Sequence, residues 1–261
     1  MNMPLSQEDK DILLTQSGSK TSAEWFDYFD RKYSKKQIYD FCYARCSQRP
    51  KRLSKAQQSK IQSQNVRKYN INQNYFKTWS HNMAYVFGLW CADGCIYGGK
   101  MFDITLHKKD KYLLKLVANE LGYEGHLYDY VDQQAARLNF SCKVIYDDII
   151  ALGGTESKSL TLQFPDVPKK YLPDFIRGYF DGNGRIMRLK GKRINSAFTC
   201  DSREFLESLL FILRDEAGIK GGSLDDSCMS LKFGKRDSLL LGEYMYQNNP
   251  SMFLKRKRDK F

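Results

Sequence analysis

The sequence predicts an α+β fold in which two similar αββαββα units follow a small helical module. A nine-residue pattern occurs twice, as VFGLWCADG at residues 86–94 and as IRGYFDGNG at residues 176–184. Each copy ends an apolar helical segment and is followed by hairpins and helices in the same order, which indicates an internal duplication. Three short segments with helical start signals precede the first copy, within residues 5–46. The duplication predicts a pseudo-twofold axis between the two units.

The first 46 residues predict a compact run of three helices. Ser6, Ser22 and Ser34 each precede a helical segment and are typical N-cap residues. The third segment combines lysine, glutamine, tyrosine and arginine side chains, which fits a helix-turn-helix module. It resembles Myb-like and related helix-turn-helix domains, and a plain three-helix packing module remains the alternative.

A basic connector is predicted for residues 47–80. It is rich in Gln, Ser, Asn and Lys and has little apolar periodicity. No Asp or Glu occurs from Phe41 to Ala92, whereas nine Lys and Arg residues do, including Arg52 and Lys55. Such a tract suits contact with phosphates, and part of it could become helical only on nucleic acid. A solvated basic linker is the alternative.

Charge and composition limit the function classes. The formal net charge is +12, and a second basic cluster, LKRKRDK, occupies residues 254–260, which favours a polyanionic partner without separating DNA from RNA. The 42% of hydrophobic residues can form a core, and no stretch approaches the roughly 20 apolar residues of a membrane span. The first residues lack the order of a signal peptide. Seven irregularly spaced cysteines predict reduced thiols in an intracellular protein, in the cytoplasm, nucleoid or an organelle matrix.

The elements after each repeated pattern can be assigned in order. In the first unit, residues 81–165, a Gly-Gly turn joins two β-rich segments, and a helix, a second hairpin and a second helix follow. In the second unit, residues 166–261, the first hairpin has a basic turn at Lys190–Arg193. A long helix with Ser202 as N-cap, a short hairpin and a closing helix follow.

The repeated pattern itself predicts a helix interface with a metal centre at its end. Glycine inside a helix costs up to about 1 kcal/mol relative to alanine, so Gly88 and Gly178 require a reason. Two such helices packed face to face explain both glycines and bring Asp93 and Asn183 together at the helix ends. Oxygen ligands meeting near a polyanion suit Mg²⁺ (or Mn²⁺), as in metal-assisted phosphodiester hydrolysis.

The two motifs resemble those of the LAGLIDADG homing endonucleases in their single-chain, two-motif form. Residues 86–94 match the family signature at Gly, Leu, Ala, Asp and Gly positions, and residues 176–184 match the form common in the second motif. The resemblance covers residues 74–261. It implies two curved sheets that form a saddle in the DNA major groove, and a monomer that cleaves double-stranded DNA at a long site. The DNA contacts it implies are Lys100, Thr105, His107, Arg137, Asn139, Arg185, Arg188, Lys190, Arg193, Asn195 and Lys232. The charge of the connector predicts Arg52 and Lys55 as further phosphate contacts.

The resemblance also implies the residues of the reaction centre. Asp93, Asn183, Gly94 and Gly184 are expected as the metal-binding residues. The family also places a basic residue after the last helix of each half. Lys158 and Lys257 match those positions. The alternatives are that Lys158 caps a loop and that Lys257 lies in a solvated tail.

Two positions depart from the family pattern. Cys91 replaces a frequent Asp, a position that serves helix termination and packing and that is Asp181 in the second motif. Asn183 matters more, since an amide keeps an oxygen ligand but loses a negative charge. Three functions remain open: an endonuclease with possible strand bias, a catalytically reduced DNA-binding regulator, and an RNA-binding intron maturase. An intron-encoded or free-standing gene is expected rather than an intein.

Overall fold

The computed structural model describes residues 4–48, 50–51, 69–130, 133–156, 158–189, 193–225, 227 and 229–261. The chain divides into two compact units, which differ from the two αββαββα repeats. From here on the first unit is Met1–Lys68, and the second unit is Tyr69–Phe261, which contains both repeats. Residues 52–68, the centre of the predicted basic connector, lie outside the described residues. Residues 69–80 were assigned to that connector, but they belong to the second unit, where Phe76 is buried in its core.

The first unit contains the three predicted helices, α1 (Gln7–Gln16), α2 (Ser22–Tyr28) and α3 (Lys35–Arg45). They enclose a separate core that includes Leu13, Trp25 and Ile38. This core explains how so short a segment holds its helices, because isolated helices of this length are marginal in water.

The helix starts in the first unit follow the predicted chemistry with one difference. The hydroxyls of Ser6 and Ser34 accept backbone N–H groups of their helices as N-caps. The second helix is capped by Thr21, whose Oγ1 accepts the N–H of Glu24 at 3.2 Å, so the predicted cap Ser22 is the first helical residue instead. Glu24 completes the capping box by accepting the Thr21 N–H at 2.7 Å.

The second unit consists of two halves with the same element order. The first half contains α4 (His81–Asp93), β1 (Gly94–Tyr97), β2 (Met101–His107), α5 (Lys111–Glu120), β3 (Tyr128–Tyr130), β4 (Ala135–Ser141), α6 (Lys143–Ala151) and the short α7 (Lys158–Thr161). The second half contains α8 (Leu172–Asn183), β5 (Gly184–Leu189), β6 (Arg193–Thr199), α9 (Arg203–Ala217), β7 (Ser223–Asp225), β8 (Ser230–Phe233), α10 (Lys235–Tyr246) and α11 (Lys255–Arg258).

The two halves form matching antiparallel sheets in the described part of the chain. The strand orders are β1-β2-β4-β3 and β5-β6-β8-β7, so the topology repeats strand for strand. The predicted α+β fold with two αββαββα units is therefore confirmed.

One face of each sheet packs on the helices, and we call the opposite face the outer face. In the first sheet Ile104 pairs with Leu138 on the packed face, whereas Thr105 pairs with Arg137 on the outer face. The alternation follows from the two-residue period of a strand. The turn between β1 and β2 contains Gly98 and Gly99, both at positive φ, as the Gly-Gly pattern predicts.

Candidate active site

Two motif helices, α4 and α8, pack against each other at the centre of the second unit, and glycines permit the approach. A Cβ on Gly88 would lie 2.0 Å from the backbone oxygen of Phe175, and a Cβ on Gly178 would lie 2.1 Å from that of Tyr85. The contacts are reciprocal, as a pseudo-twofold axis requires. The sequence explanation for the two glycines is therefore correct.

The ends of the motif helices meet where the metal centre was predicted. A Cβ on Gly182 would lie 2.3 Å from Ala92 Cβ and 2.8 Å from Asp93 Oδ2. The Asp93 carboxylate thus lies against the last turn of α8, next to Asn183. Burial raises the pKa of Asp93 above its ordinary value, while Lys257 and, less strongly, Lys158 favour its ionised form.

Asn183 ends α8 as Asp93 ends α4, with its own local contacts. Its side-chain nitrogen donates to the Tyr179 hydroxyl at 3.5 Å, and its backbone oxygen accepts the Thr199 hydroxyl at 2.9 Å. This bond uses the amide nitrogen and not the amide oxygen, which is the atom that could bind a cation. A cavity of about 170 Å³ adjoins this point, lined by Cys91, Ala92, Lys158, Leu162, Tyr179, Asn183, Cys200 and Asp201.

Lys158 caps the first motif helix. Its Nζ donates to the backbone oxygens of Cys91 at 2.9 Å and Ala92 at 3.3 Å. Burial lowers the pKa of Lys158, against the attraction of neighbouring groups. A cation on the carbonyl end of a helix also complements the helix dipole.

Lys257 caps the second motif helix. Its Nζ donates to the backbone oxygens of Phe180 at 2.7 Å, Asp181 at 2.6 Å and Gly182 at 3.2 Å. The residue is 5% exposed, so the alternative of a solvated tail is wrong. Burial lowers the pKa of Lys257 to about 8, while the Asp181 carboxylate acts in the opposite direction. The two lysines therefore occupy matching positions in the two halves.

Three contacts outside the predicted site anchor the segment that carries Lys257. Arg177, inside the second motif, donates through Nε to the Met252 oxygen at 3.0 Å. Asp181 Oδ2 accepts the Leu254 N–H at 2.7 Å. Arg256 forms a two-nitrogen ion pair with Asp110 of the first half, including a bond of 2.6 Å from Nη2 to Oδ2.

Asp181 is the buried acid of this arrangement. Its Oδ2 also accepts the Tyr85 hydroxyl at 2.7 Å, whereas its Oδ1 has no hydrogen-bond partner among the described residues. Burial raises the pKa of Asp181 to about 6, and the bonds from Tyr85 and Leu254 oppose the shift. The first half has Cys91 at this position, so the end of its motif helix lacks the corresponding carboxylate.

Asp181→Asn is expected to change the pH dependence of stability. Because the folded pKa of about 6 lies above the ordinary 3.8, ionisation costs the folded state, and wild type loses this stability as pH rises from about 4 to about 6. The variant avoids the loss, so it should gain on the order of 3 kcal/mol relative to wild type between pH 4 and pH 8. Urea unfolding at a series of pH values measures the difference. A difference independent of pH would contradict the assignment.

Gly94 and Gly184 follow the motif helices for steric reasons. A Cβ on either glycine would lie 2.2 Å from an aromatic ring of its own motif, Trp90 for Gly94 and Phe180 for Gly184. Both have extended backbones with negative φ. Glycine is therefore needed for close packing, and these residues contribute no side-chain ligand.

The predicted contact residues of the first sheet lie on its outer face. Thr105, Arg137 and Asn139 share this face by register, and His107 follows at its edge. The Nδ1 atom of His107 accepts the Lys109 N–H at 3.1 Å. Lys100 lies in the turn between β1 and β2 and is exposed.

The second sheet places most, but not all, of its predicted contacts on the outer face. Arg185, Asn195 and Lys232 share that face, and Arg185 is exposed. Arg188 pairs with Ile194 on the opposite face, where its Nε donates to the Lys260 oxygen at 2.9 Å. The prediction that Arg188 is a groove contact is therefore corrected, because the strand alternation turns it away.

Several predicted contacts cannot be placed. Lys190, Arg52 and Lys55 lie outside the described residues. Arg193 begins β6, and only its strand position is described.

The helix ends fit a divalent cation shared with a phosphate rather than a site built by protein alone. Within the described residues, no group of three or more His, Cys, Asp or Glu side chains could hold a metal. Asp93 offers a carboxylate for which no hydrogen-bond donor is found in the described part of the chain, and Asn183 offers an amide oxygen. One or two protein oxygens completed by water and substrate phosphate suit Mg²⁺.

No family model matches the chain, and no curated protein matches it. Solved structures do. One is the homing endonuclease I-WcaI bound to its DNA recognition sequence, with a TM-score of 0.49 and 12% identity over 72% of this chain and 90% of that one. The chain resembles the LAGLIDADG homing endonucleases.

Two further solved structures of LAGLIDADG proteins are similar. The meganuclease I-AabMI bound to uncleaved DNA gives a TM-score of 0.47 at 13% identity, over 67% of this chain and 86% of that one. The homing endonuclease I-LtrWI bound to target DNA gives 0.44 at 12% identity, over 72% and 88%. At such identities, the role of each residue follows only from the geometry of this chain.

Among the described residues, no helix has both the length and the apolar character to cross a bilayer.

Proposed function

We propose that this protein is a single-chain, site-specific DNA endonuclease of the homing type, which hydrolyses phosphodiester bonds in duplex DNA with a divalent cation. The pairing of the two motif-helix ends supports this proposal. Asp93 lies against Gly182, beside Asn183, and a lysine caps each helix. Two helix ends related by the repeat in one chain suit a duplex with two scissile strands and allow the protein to act as a monomer.

Asp93 and Asn183 are the proposed protein ligands of the cation, which is Mg²⁺ or Mn²⁺. A divalent cation there would activate water and offset negative charge on the phosphate. Asp93 supplies the negative charge of the pair. Asn183 supplies an oxygen without charge and cannot act as a base.

Lys158 and Lys257 are proposed to fix the helix ends and to direct positive charge at the phosphate. Each ammonium has three hydrogens. Lys158 uses them on two backbone oxygens, which leaves one for substrate, whereas Lys257 already contacts three. The two centres are therefore unequal in their lysines as well as in their acids, and we infer a bias toward one strand.

The outer faces of the two sheets are the proposed DNA-binding surface. The proposed contacts to bases or phosphates are Thr105, Arg137 and Asn139 in one sheet and Arg185, Asn195 and Lys232 in the other. The net charge of +12 supports a polyanionic partner. We propose additional DNA contacts from the helical module of the first unit and from the connector with Arg52 and Lys55. In the helical module, α3 carries the exposed side chains of Lys36, Tyr39 and Tyr43.

A nicking assay tests the proposed function. A target is first selected from a randomised duplex library and cloned into a supercoiled plasmid, which is incubated with the protein and Mg²⁺. Wild type is expected to give more nicked than linear plasmid, and the nick should map to one strand. Asn183→Asp restores the second carboxylate and should raise the linear fraction several-fold. Nicking that persists in excess chelator would contradict the role of the cation.

A second candidate function is a DNA-binding regulator with reduced catalysis. The observation that favours it is Asn183, an amide without the negative charge of a carboxylate ligand. Specific binding to the selected duplex without any nicking, in wild type and in Asn183→Asp, would establish it. Preference for structured intron RNA over that duplex would instead indicate a maturase.

A further inference from the structure

A buried acid lies on the outer face of the first sheet, where no acid was expected. Asp103 of β2 is 3% exposed although its register places it with Thr105, on the side away from the helices. A carboxylate on a surface that binds phosphates repels them unless its charge is compensated. The contacts of Asp103 therefore bear on how this surface recognises DNA.

Three donors surround the Asp103 carboxylate, and all belong to the predicted contact residues. Arg137 donates through Nε to Oδ2, and Asn139 donates through Nδ2 to the same oxygen at 2.7 Å. Thr105 donates through its hydroxyl to Oδ1 at 3.1 Å. Both oxygens are occupied, so Asp103 itself is not a free acceptor for a base.

Two tyrosines complete the cluster by fixing Arg137. Its Nη1 donates to the Tyr130 hydroxyl at 3.4 Å and its Nη2 donates to the Tyr97 hydroxyl at 3.3 Å. Tyr97 also accepts Asn139 Nδ2 at 3.0 Å. A guanidinium has five N–H groups, and three of those of Arg137 are in use, so that two remain for a ligand. A fixed fork with two free donors matches a pair of acceptors rather than a single phosphate oxygen.

We propose that Arg137, held by Asp103, Tyr97 and Tyr130, recognises one guanine in the major groove, and that Asp103 is the residue that sets this specificity. The inference rests on the proposed DNA-binding function and deepens it. Guanine presents N7 and O6 as two acceptors to the major groove, and a two-donor arginine is the common partner of that edge. Asp103 neutralises Arg137, which removes much of its attraction to phosphates and leaves geometry to decide what it binds.

Arg185 on the second sheet provides the contrast. It is exposed, and no ion pair or hydrogen bond of its side chain is found in the described part of the chain. An unrestrained arginine can bind any nearby phosphate or base. Arg185→Lys is therefore a matched control for Arg137→Lys, since both substitutions keep the charge and remove the fork.

The test is selection of bound sequences from a randomised duplex library with the full chain, as wild type, Asp103→Asn, Arg137→Lys and Arg185→Lys. Wild type should prefer guanine at one position by about 10- to 100-fold over the other bases. Arg137→Lys and Asp103→Asn should both lose that preference. Asp103→Asn should also bind non-specific duplex more tightly, with a salt dependence steeper by about one phosphate contact. Arg185→Lys should keep the preference for guanine at that position.

The outcomes separate this inference from the proposed function. If wild type selects no sequence, DNA recognition fails and the inference fails with it. If wild type selects a site and both Arg137→Lys and Asp103→Asn select the same guanine, the inference is overturned while the endonuclease proposal stands. Thermal unfolding of each variant identifies any loss of binding that comes from unfolding, and Arg137→Lys still decides the question if Asp103→Asn does not fold.

Discussion

Asp93→Asn is expected to lower the rate of strand cleavage by at least about 100-fold while binding to the selected duplex changes little. The reason is the composition of the helix ends. Asp93 supplies the single carboxylate of the pair with Asn183, so the substitution leaves two neutral amides and no charge to hold a cation. The fold should tolerate the change, because the carboxylate is mostly desolvated and burial raises its pKa. Single-turnover cleavage and a binding titration with the same duplex separate the two effects.

The chain offers a matched control for this prediction. The double variant Asp93→Asn with Asn183→Asp has the same composition as wild type but moves the carboxylate to the other helix end. It should recover nicking relative to Asp93→Asn, and the nick should fall on the opposite strand. Full cleavage by Asp93→Asn would show that the reaction centre lies elsewhere. A nick by the double variant on the wild-type strand would show that the helix ends do not determine the strand.

Local patterns were enough to predict most of the elements and the meeting of the two motif-helix ends. Glycines within apolar helices predicted the motif-helix interface, and the repeat predicted the matching sheets. Lys158 and Lys257 were predicted through the family resemblance, and the structure places both on helix-end carbonyls. The helix interface and the matching sheets depend on spacing along the chain, which a sequence displays directly.

Features that depend on distant residues were not predicted. The ion pair of Arg256 and Asp110 joins residues 146 positions apart, and no local pattern relates them. Asp103 could have been found, since the alternation of β2 places it with Thr105, but its pairing with Arg137 requires the register of β4. Arg188 was misplaced although the alternation within β5 puts it on the face opposite to Arg185.

Gly88→Ala is the substitution expected to destabilise the fold most. The added Cβ would lie 2.0 Å from a backbone oxygen of α8, and neither a rotamer change nor a flexible side chain can relieve that contact. The motif helices must therefore separate. Alanine gains up to about 1 kcal/mol in helix propensity, but overpacking against backbone exceeds this, so we expect a net loss of about 2 kcal/mol or more in unfolding free energy. Urea unfolding measures it.

Gly178→Ala should have a similar effect because its contact with Tyr85 is the reciprocal one. The double variant should cost clearly less than the sum of the two, since the first substitution already moves the helices apart and makes space for the second. Additive losses would mean that each glycine is accommodated separately, without movement of the helices. Gly234→Ala is the control, because an added Cβ there meets no atom within 4 Å.

The same substitutions connect the interface to the chemistry. Asp93 and Asn183 end the two helices that the glycines hold together, so separation of α4 from α8 widens the gap between the ligands. We therefore expect Gly88→Ala, assayed where it is fully folded, to lose cleavage by more than tenfold while Gly234→Ala keeps it, since misplacement by about 1 Å can cost about 100-fold in rate. A folded Gly88→Ala protein with normal cleavage would show that close packing serves stability alone.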